Sequence, residues 1–233
     1  IVTVVATRRV LGVRPRPGFA DATMVREGLG YSLSIGAIYL KNDADKTLLL
    51  SFHQSTAAGL YGLASRVTTP LYAPVRALAD STFSRFFREG THDAEAAYRL
   101  ARRTTVAGVL FTFAGGVVVA GGAPLLPLLV GDKWQPAVLV TQLLAFVPML
   151  IAMQMYAFNA LMGLGRQRAC LAVTVSASLL NLGLNLALIP RYDWRGSTVA
   201  TIISEAVSVL ALWAILRHEA TVRAPTSEHL RSL

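Results

Sequence analysis

Gly28–Phe52 reads GLGYSLSIGAIYLKNDADKTLLLSF, an apolar stretch with Lys41-Asn42-Asp43-Ala44-Asp45-Lys46 set inside it. Each ionisable side chain in a membrane span costs roughly 2.5–3.5 kcal/mol on insertion scales, so such groups are retained for pairing or for function. If this stretch crosses a bilayer, the protein keeps a charged interior. If it does not, the six residues are a loop.

Composition sets the class. Hydrophobic residues are 54% of the 233, charged residues only 15%, and the mean hydropathy is +0.51. Soluble domains carry about 25% charged residues, so a polytopic membrane protein is expected. Cys170 is the single cysteine, which excludes an internal disulfide. The start Ile1-Val2-Thr3-Val4-Val5 precedes Arg8-Arg9, reversing the charge order of a signal peptide. Residues 1–7 therefore read as the tail of an earlier span and the chain as a fragment of a longer one.

Six apolar segments approach the roughly 20 residues needed to cross: 28–52, 57–80, 104–130, 137–161, 169–190 and 196–216. Residues 1–27 read as the end of a preceding span plus a loop, 28–217 as the bundle and 218–233 as a tail. Pro70 and Pro74 predict a kink in the second span, and Pro124 and Pro127 a break in the third. This arrangement places fifteen arginines on one side, in loops around residues 8–26, 85–103, 166–168 and 217–231. Only Lys133, Arg191 and Arg195 fall on the other. The positive-inside rule makes the first side cytoplasmic, with both ends of the chain there. Without the first span the split would fall to ten against eight, so the charge map favours crossing. Trp134, Tyr192 and Trp194 gather at the opposite interface, where amphipathic rings prefer to lie. Short arginine-rich loops beside span ends also explain the net charge of +9 through anionic headgroups rather than nucleic acid.

On a helix Lys41 and Asp45 lie about 40° apart and form an i,i+4 pair, with Asn42 and Lys46 on the same broad face. At 1.5 Å per residue, Lys41 lies about 20 Å into its span and Arg66 about 14 Å into the next, antiparallel one. These depths allow both to point into one space, with Arg76 nearer the arginine-rich side. The expected cavity is hydrated and net cationic. Lys41, Asn42, Lys46, Arg66 and Arg76 are its substrate-binding candidates, suited to a phosphate-bearing anion. Asp43, Asp45 and Glu205 are the ion-coupling candidates, able to exchange a proton or sodium ion. Mutual pairing, including Arg76 with Asp80, is the structural alternative. No catalytic, metal or cofactor site is read. The four histidines lack ligand spacing, and the loops hold no paired-carboxylate site for a glycosyltransferase. Glu89–Arg103 reads as a solvated, charge-alternating helix.

Three passages together resemble one family. Asp45-Lys46-Thr47-Leu48-Leu49-Leu50 is followed by Ala58-Gly59-Leu60-Tyr61-Gly62-Leu63-Ala64-Ser65-Arg66. Gly131-Asp132-Lys133-Trp134 forms an outer turn. Leu161-Met162-Gly163-Leu164-Gly165-Arg166 precedes Asn181-Leu182-Gly183-Leu184-Asn185 and the stretch up to Glu205. In this order they are similar to the polysaccharide flippase branch of the multidrug/oligosaccharidyl-lipid/polysaccharide exporter superfamily, over about residues 24–217. The resemblance implies an all-α membrane protein, six transmembrane helices forming one lobe of a two-lobed transporter of twelve or more helices. It also implies alternating access and a polyprenyl-pyrophosphate-linked oligosaccharide as substrate. The setting it implies is polysaccharide or lipopolysaccharide biosynthesis at a bacterial inner membrane. The implied partners are membrane lipids, an N-terminal lobe and polymerisation or export machinery; nucleic acid is not among them. Asp45, Lys46 and Arg66 occupy the matching positions. A multidrug or cation antiporter of the same superfamily is the alternative.

Overall fold

The computed structural model describes residues 29, 32, 36, 45–90 and 93–222. Lys41, Asn42, Asp43, residues 1–27 and the end of the tail lie outside them. Among the described residues every regular element is helical. After the helical residues 45–51 come α1 (Ser55–Thr68), α2 (Ala73–Gly90), α3 (Ala94–Gly122), α4 (Leu126–Val130), α5 (Ala137–Leu144), α6 (Val147–Gly163) and α7 (Gln167–Val222). Three stretches of these are long and apolar enough to cross a membrane: Ala94–Val130, Ala137–Gly163 and Gln167–Val222.

The last of these is two antiparallel arms. Asp193 has φ 49° and ψ −135°, outside helical geometry. The Asn181 amide reaches the Ser204 hydroxyl at 3.1 Å, whereas 23 residues of straight helix would separate them by about 34 Å. Only a reversal near residue 193 brings them together. The arms close tightly because Gly196 has no Cβ: one built there would lie 2.7 Å from the Leu188 carbonyl carbon.

Prolines break the other rods, each by the same route. Pro74 has no amide to give the Pro70 carbonyl, and the Ala73 amide takes that carbonyl instead, making a 3₁₀ turn at Thr69–Tyr72. Pro127 withholds its bond from Ala123, and the Leu126 amide fills the place, making the turn Ala123–Leu125. Pro148 likewise withholds a bond from Leu144, and α5 ends there before α6 resumes at Val147. The expected breaks near Pro70 and near Pro124–Pro127 thus take a definite form.

Glu89–Arg103 is not a separate helix. Asp93 is extended and accepts the Glu95 amide at 2.8 Å, the geometry of an N-cap. It starts α3, so residues 94–103 are the first three turns of a helix that continues into the apolar region.

Two buried clusters hold the bundle. Phe86, Leu100, Tyr156, Leu161, Leu212 and Leu216 knit α2, α3, α6 and α7 at the end bearing Arg85, Arg99, Arg103 and Arg166. Leu49, Tyr61, Val140, Leu144 and Ile189 knit residues 45–51, α1, α5 and α7 toward the other end, where Trp134 and Trp194 pack against them. Small residues set the closest approach: a Cβ on Gly163 would collide with the Phe86 carbonyl, and one on Gly90 would lie 2.7 Å from the Gly163 carbonyl carbon. Nearby, the Tyr156 hydroxyl donates to the Val75 carbonyl at 3.2 Å.

Gly163→Val is expected to lower the thermal unfolding temperature of the detergent-solubilised protein by an amount equivalent to about 1–3 kcal/mol or more. Gly183→Ala is the contrast, because a Cβ there meets nothing within 4 Å and a helical glycine gains roughly 1 kcal/mol of propensity as alanine. Equal losses in both would remove the packing explanation.

Candidate functional site

Beside the second cluster lies a cavity of about 360 Å³ bordered by Asp45, Lys46, Tyr61, Asn181, Thr201 and Glu205. Its organising group is the Asp45 carboxylate, which is 4% exposed. Residues 45–51 supply Asp45, α1 supplies Tyr61, and the two arms of α7 supply Asn185 and Thr201. The Tyr61 hydroxyl donates to Asp45 Oδ2 at 2.6 Å and the Thr201 hydroxyl to the same oxygen at 3.0 Å. The Asn185 amide donates to Oδ1 at 2.9 Å. Hydrogen bonds this short to a carboxylate are charge-assisted and about twice as strong as neutral ones.

The arms of α7 present polar groups at helical spacing. Asn181 and Asn185 are i,i+4 on one arm, Thr201 and Glu205 i,i+4 on the other. All but Thr201 are buried. Asn185 Nδ2 faces Asp45 Oδ1, the Asn181 carbonyl at 2.9 Å and Asn181 Oδ1 at 3.1 Å. That is three acceptors for two amide hydrogens. The amide's own oxygen, Asn185 Oδ1, is buried without a hydrogen-bond partner among the described residues. A cluster with excess acceptors and an unmet buried oxygen favours additional positive charge. Its acceptor atoms are all oxygens, which suit a proton or a hard cation rather than a thiolate- or imidazole-seeking metal. No group of three or more His, Cys, Asp or Glu side chains converges among the described residues.

Asp45, Lys46 and Glu205 therefore come together around one cavity. Lys46 is half-buried and Glu205 is buried. Arg66 and Arg76 do not line it. Tyr61, not Arg66, faces Asp45 from α1, and Arg66 follows five residues later, about 140° farther round the helix. It is exposed and forms no ion pair among the described residues. Arg76 is also exposed and sits 3.9 Å from Asp80, with the two side chains 70% and 75% accessible, a pair of little energetic weight. The expected excess of bases is thus not reproduced among the described lining residues, which hold two carboxylates against one lysine. Lys41, Asn42 and Asp43 lie outside the described residues. Sequence reasoning missed Tyr61, Asn181, Asn185 and Thr201. The signal was the pair of asparagines four apart in an apolar helix, since amides in such a setting seek partners on neighbouring helices.

The same fold occurs in a solved structure, the outward-facing conformation of a multidrug resistance MATE family transporter of the MOP superfamily. The TM-score is 0.72 at 14% identity, over 94% of this chain and 52% of the transporter. The chain spans about half that transporter's length. No family model matches the sequence, and no curated protein matches it.

Tyr61→Phe deletes a bond to a carboxylate and is expected to cost about 1.5–3 kcal/mol. Tyr156→Phe deletes one to a carbonyl and is expected to cost about 1 kcal/mol. Thermal unfolding of the two purified variants compares them. A loss in Tyr61→Phe no larger than in Tyr156→Phe would show that Asp45 does not depend on that hydroxyl.

Proposed function

We propose that the chain is one lobe of a two-lobed, ion-coupled membrane transporter, and that the Asp45 cluster is where the coupling ion acts. The observation that carries this reading is the buried carboxylate itself, held from three segments beside an unmet Asn185 oxygen. A purely structural aspartate at this depth would gain from full satisfaction of its shell. The likeness of fold to a transporter adds support. Alternating occupancy by a proton or sodium ion would change the charge inside the lobe. Tyr61, Thr201 and Asn185 would then release or regain a negative acceptor, which biases the packing of residues 45–51 against α1 and α7.

The substrate we infer is a lipid-linked oligosaccharide carried across a bacterial inner membrane, with the arginine-rich end cytoplasmic. Support comes from the sequence resemblance and from Arg66, an exposed guanidinium without an acidic partner on α1, available to a diphosphate. The two-to-one excess of carboxylates around the Asp45 cavity favours a second reading, a multidrug or cation antiporter. The substrate separates the two.

In cells lacking the full-length protein, lipid-linked oligosaccharide should accumulate on the cytoplasmic face of the inner membrane. Arg66→Ala, alone or with Lys41→Ala, should reproduce that block with normal membrane insertion. No accumulation, together with a gain in sensitivity to cationic compounds, would favour the antiporter. In proteoliposomes Asp45→Asn should reduce gradient-driven transport by tenfold or more. Unchanged gradient dependence in that variant would remove Asp45 from coupling whatever the substrate.

A further inference from the structure

A second cavity, of about 450 Å³, opens between α2 and α3 at the arginine-rich end, far from the Asp45 cluster. Arg85 and Glu89 border it from α2, and Arg99 and Arg103 from α3. Leu78 and Ala107 lie at its far end. Leu78, Arg85 and Glu89 fall within about 40° on α2, and Arg99, Arg103 and Ala107 within about 80° on α3. The groove is therefore built by two matched helix faces. We propose that it binds an anionic phospholipid, with the phosphate at the arginines and an acyl chain along Leu78 and Ala107.

The hydrogen-bond inventory leaves donors for a phosphate. Glu89 takes the Arg85 Nε at 2.6 Å, and that guanidinium keeps its terminal N–H groups. Arg99 is occupied, by Glu95 at 2.6 Å and Asp93 at 3.6 Å. Arg103 forms no ion pair among the described residues and is exposed. Arg85 and Arg103 thus face the groove from opposite helices with donors to spare, the arrangement in which guanidinium groups clamp a phosphate. Glu89 is the one acid lining the groove, against three arginines.

Length decides between a lipid and a free phosphate. From Ala96 to Ala107 the groove wall runs about 16 Å along α3, while a headgroup layer is only about 5–8 Å deep. The remainder runs beside the hydrocarbon, where Val106 and Leu110 are 53% and 64% exposed. A free anion would use only the arginine end and leave the apolar half unoccupied. Basic pockets between membrane helices recognise anionic headgroups by this same chemistry.

Native mass spectrometry of the detergent-solubilised full-length protein tests the proposal, with phosphatidylglycerol, phosphatidylcholine and inorganic phosphate as probes. Phosphatidylglycerol should be retained about tenfold more tightly than phosphatidylcholine. Arg85→Gln with Arg103→Gln should reduce that retention by tenfold or more, at about fivefold per arginine. Arg103→Gln alone, which breaks no ion pair, should lose about fivefold. Ala107→Trp should block the groove without changing charge. Arg191→Gln with Arg195→Gln removes equal charge at the other end and should leave retention unchanged. Equal retention of the two lipids, equal losses in both double variants, or intact binding in Ala107→Trp would overturn the site. Saturation by millimolar inorganic phosphate with displacement of the lipid would make it a free-anion site and overturn the lipid assignment.

Discussion

A carboxylate set among apolar helices constrains everything around it. Asp45 can stay where it is only because four groups from separate segments converge: its own helical turn, Tyr61 of α1, and Asn185 and Thr201 on the two arms of α7. No pair of these segments could satisfy it alone. The cost of one ionisable group in a span, roughly 2.5–3.5 kcal/mol, is a large fraction of the roughly 5–15 kcal/mol by which folded domains are stable. Tyr61 belongs to one of the two apolar clusters, and both clusters include α7. Movement of the α7 hairpin relative to α1 would therefore disturb the carboxylate and both clusters together.

The class was legible at once, because a chain so poor in charge and so rich in apolar runs has few soluble solutions. The proline breaks were legible too, since a missing amide is a local fact that no tertiary contact can restore. At Pro74 and Pro127 the preceding residue's amide supplied the lost bond, and the rods turned 3₁₀ rather than separating. The site was only half legible. Rise per residue placed Lys41 and Arg66 at overlapping depths, but depth leaves the direction of a side chain around its helix undetermined. That direction follows from which face packs: Leu60, Tyr61 and Ala64 are buried, and Arg66 is carried to the outside. The asparagines were visible as letters, yet their pairing with a residue 140 positions away depends on the reversal near Asp193, which no local pattern announces.

Among the described residues, the acids and bases singled out in the sequence occupy different places. The carboxylates Asp45 and Glu205 face the bundle's interior, while Arg66, Arg85 and Arg103 lie on outward surfaces. Depth along the helices counted Arg66 and Arg76 toward one cavity, and among the described residues they do not line it. The bases and acids counted together belong to different surfaces.

The reach of the Asp45 shell also bears on how the protein is made. Thr201 follows Asp45 by 156 residues, and at about 5–20 residues per second synthesis takes roughly 8–30 s to cover that distance. Through that interval the aspartate has been synthesised while Asn185 and Thr201, two of its three hydrogen-bond donors, are not yet both in place. The nascent chain must therefore keep Asp45 wet or protonated, inside the insertion machinery or at the membrane surface, until the final hairpin arrives. The α7 hairpin completes the shell of a residue made long before it, so a lesion in α7 would show its defect at Asp45.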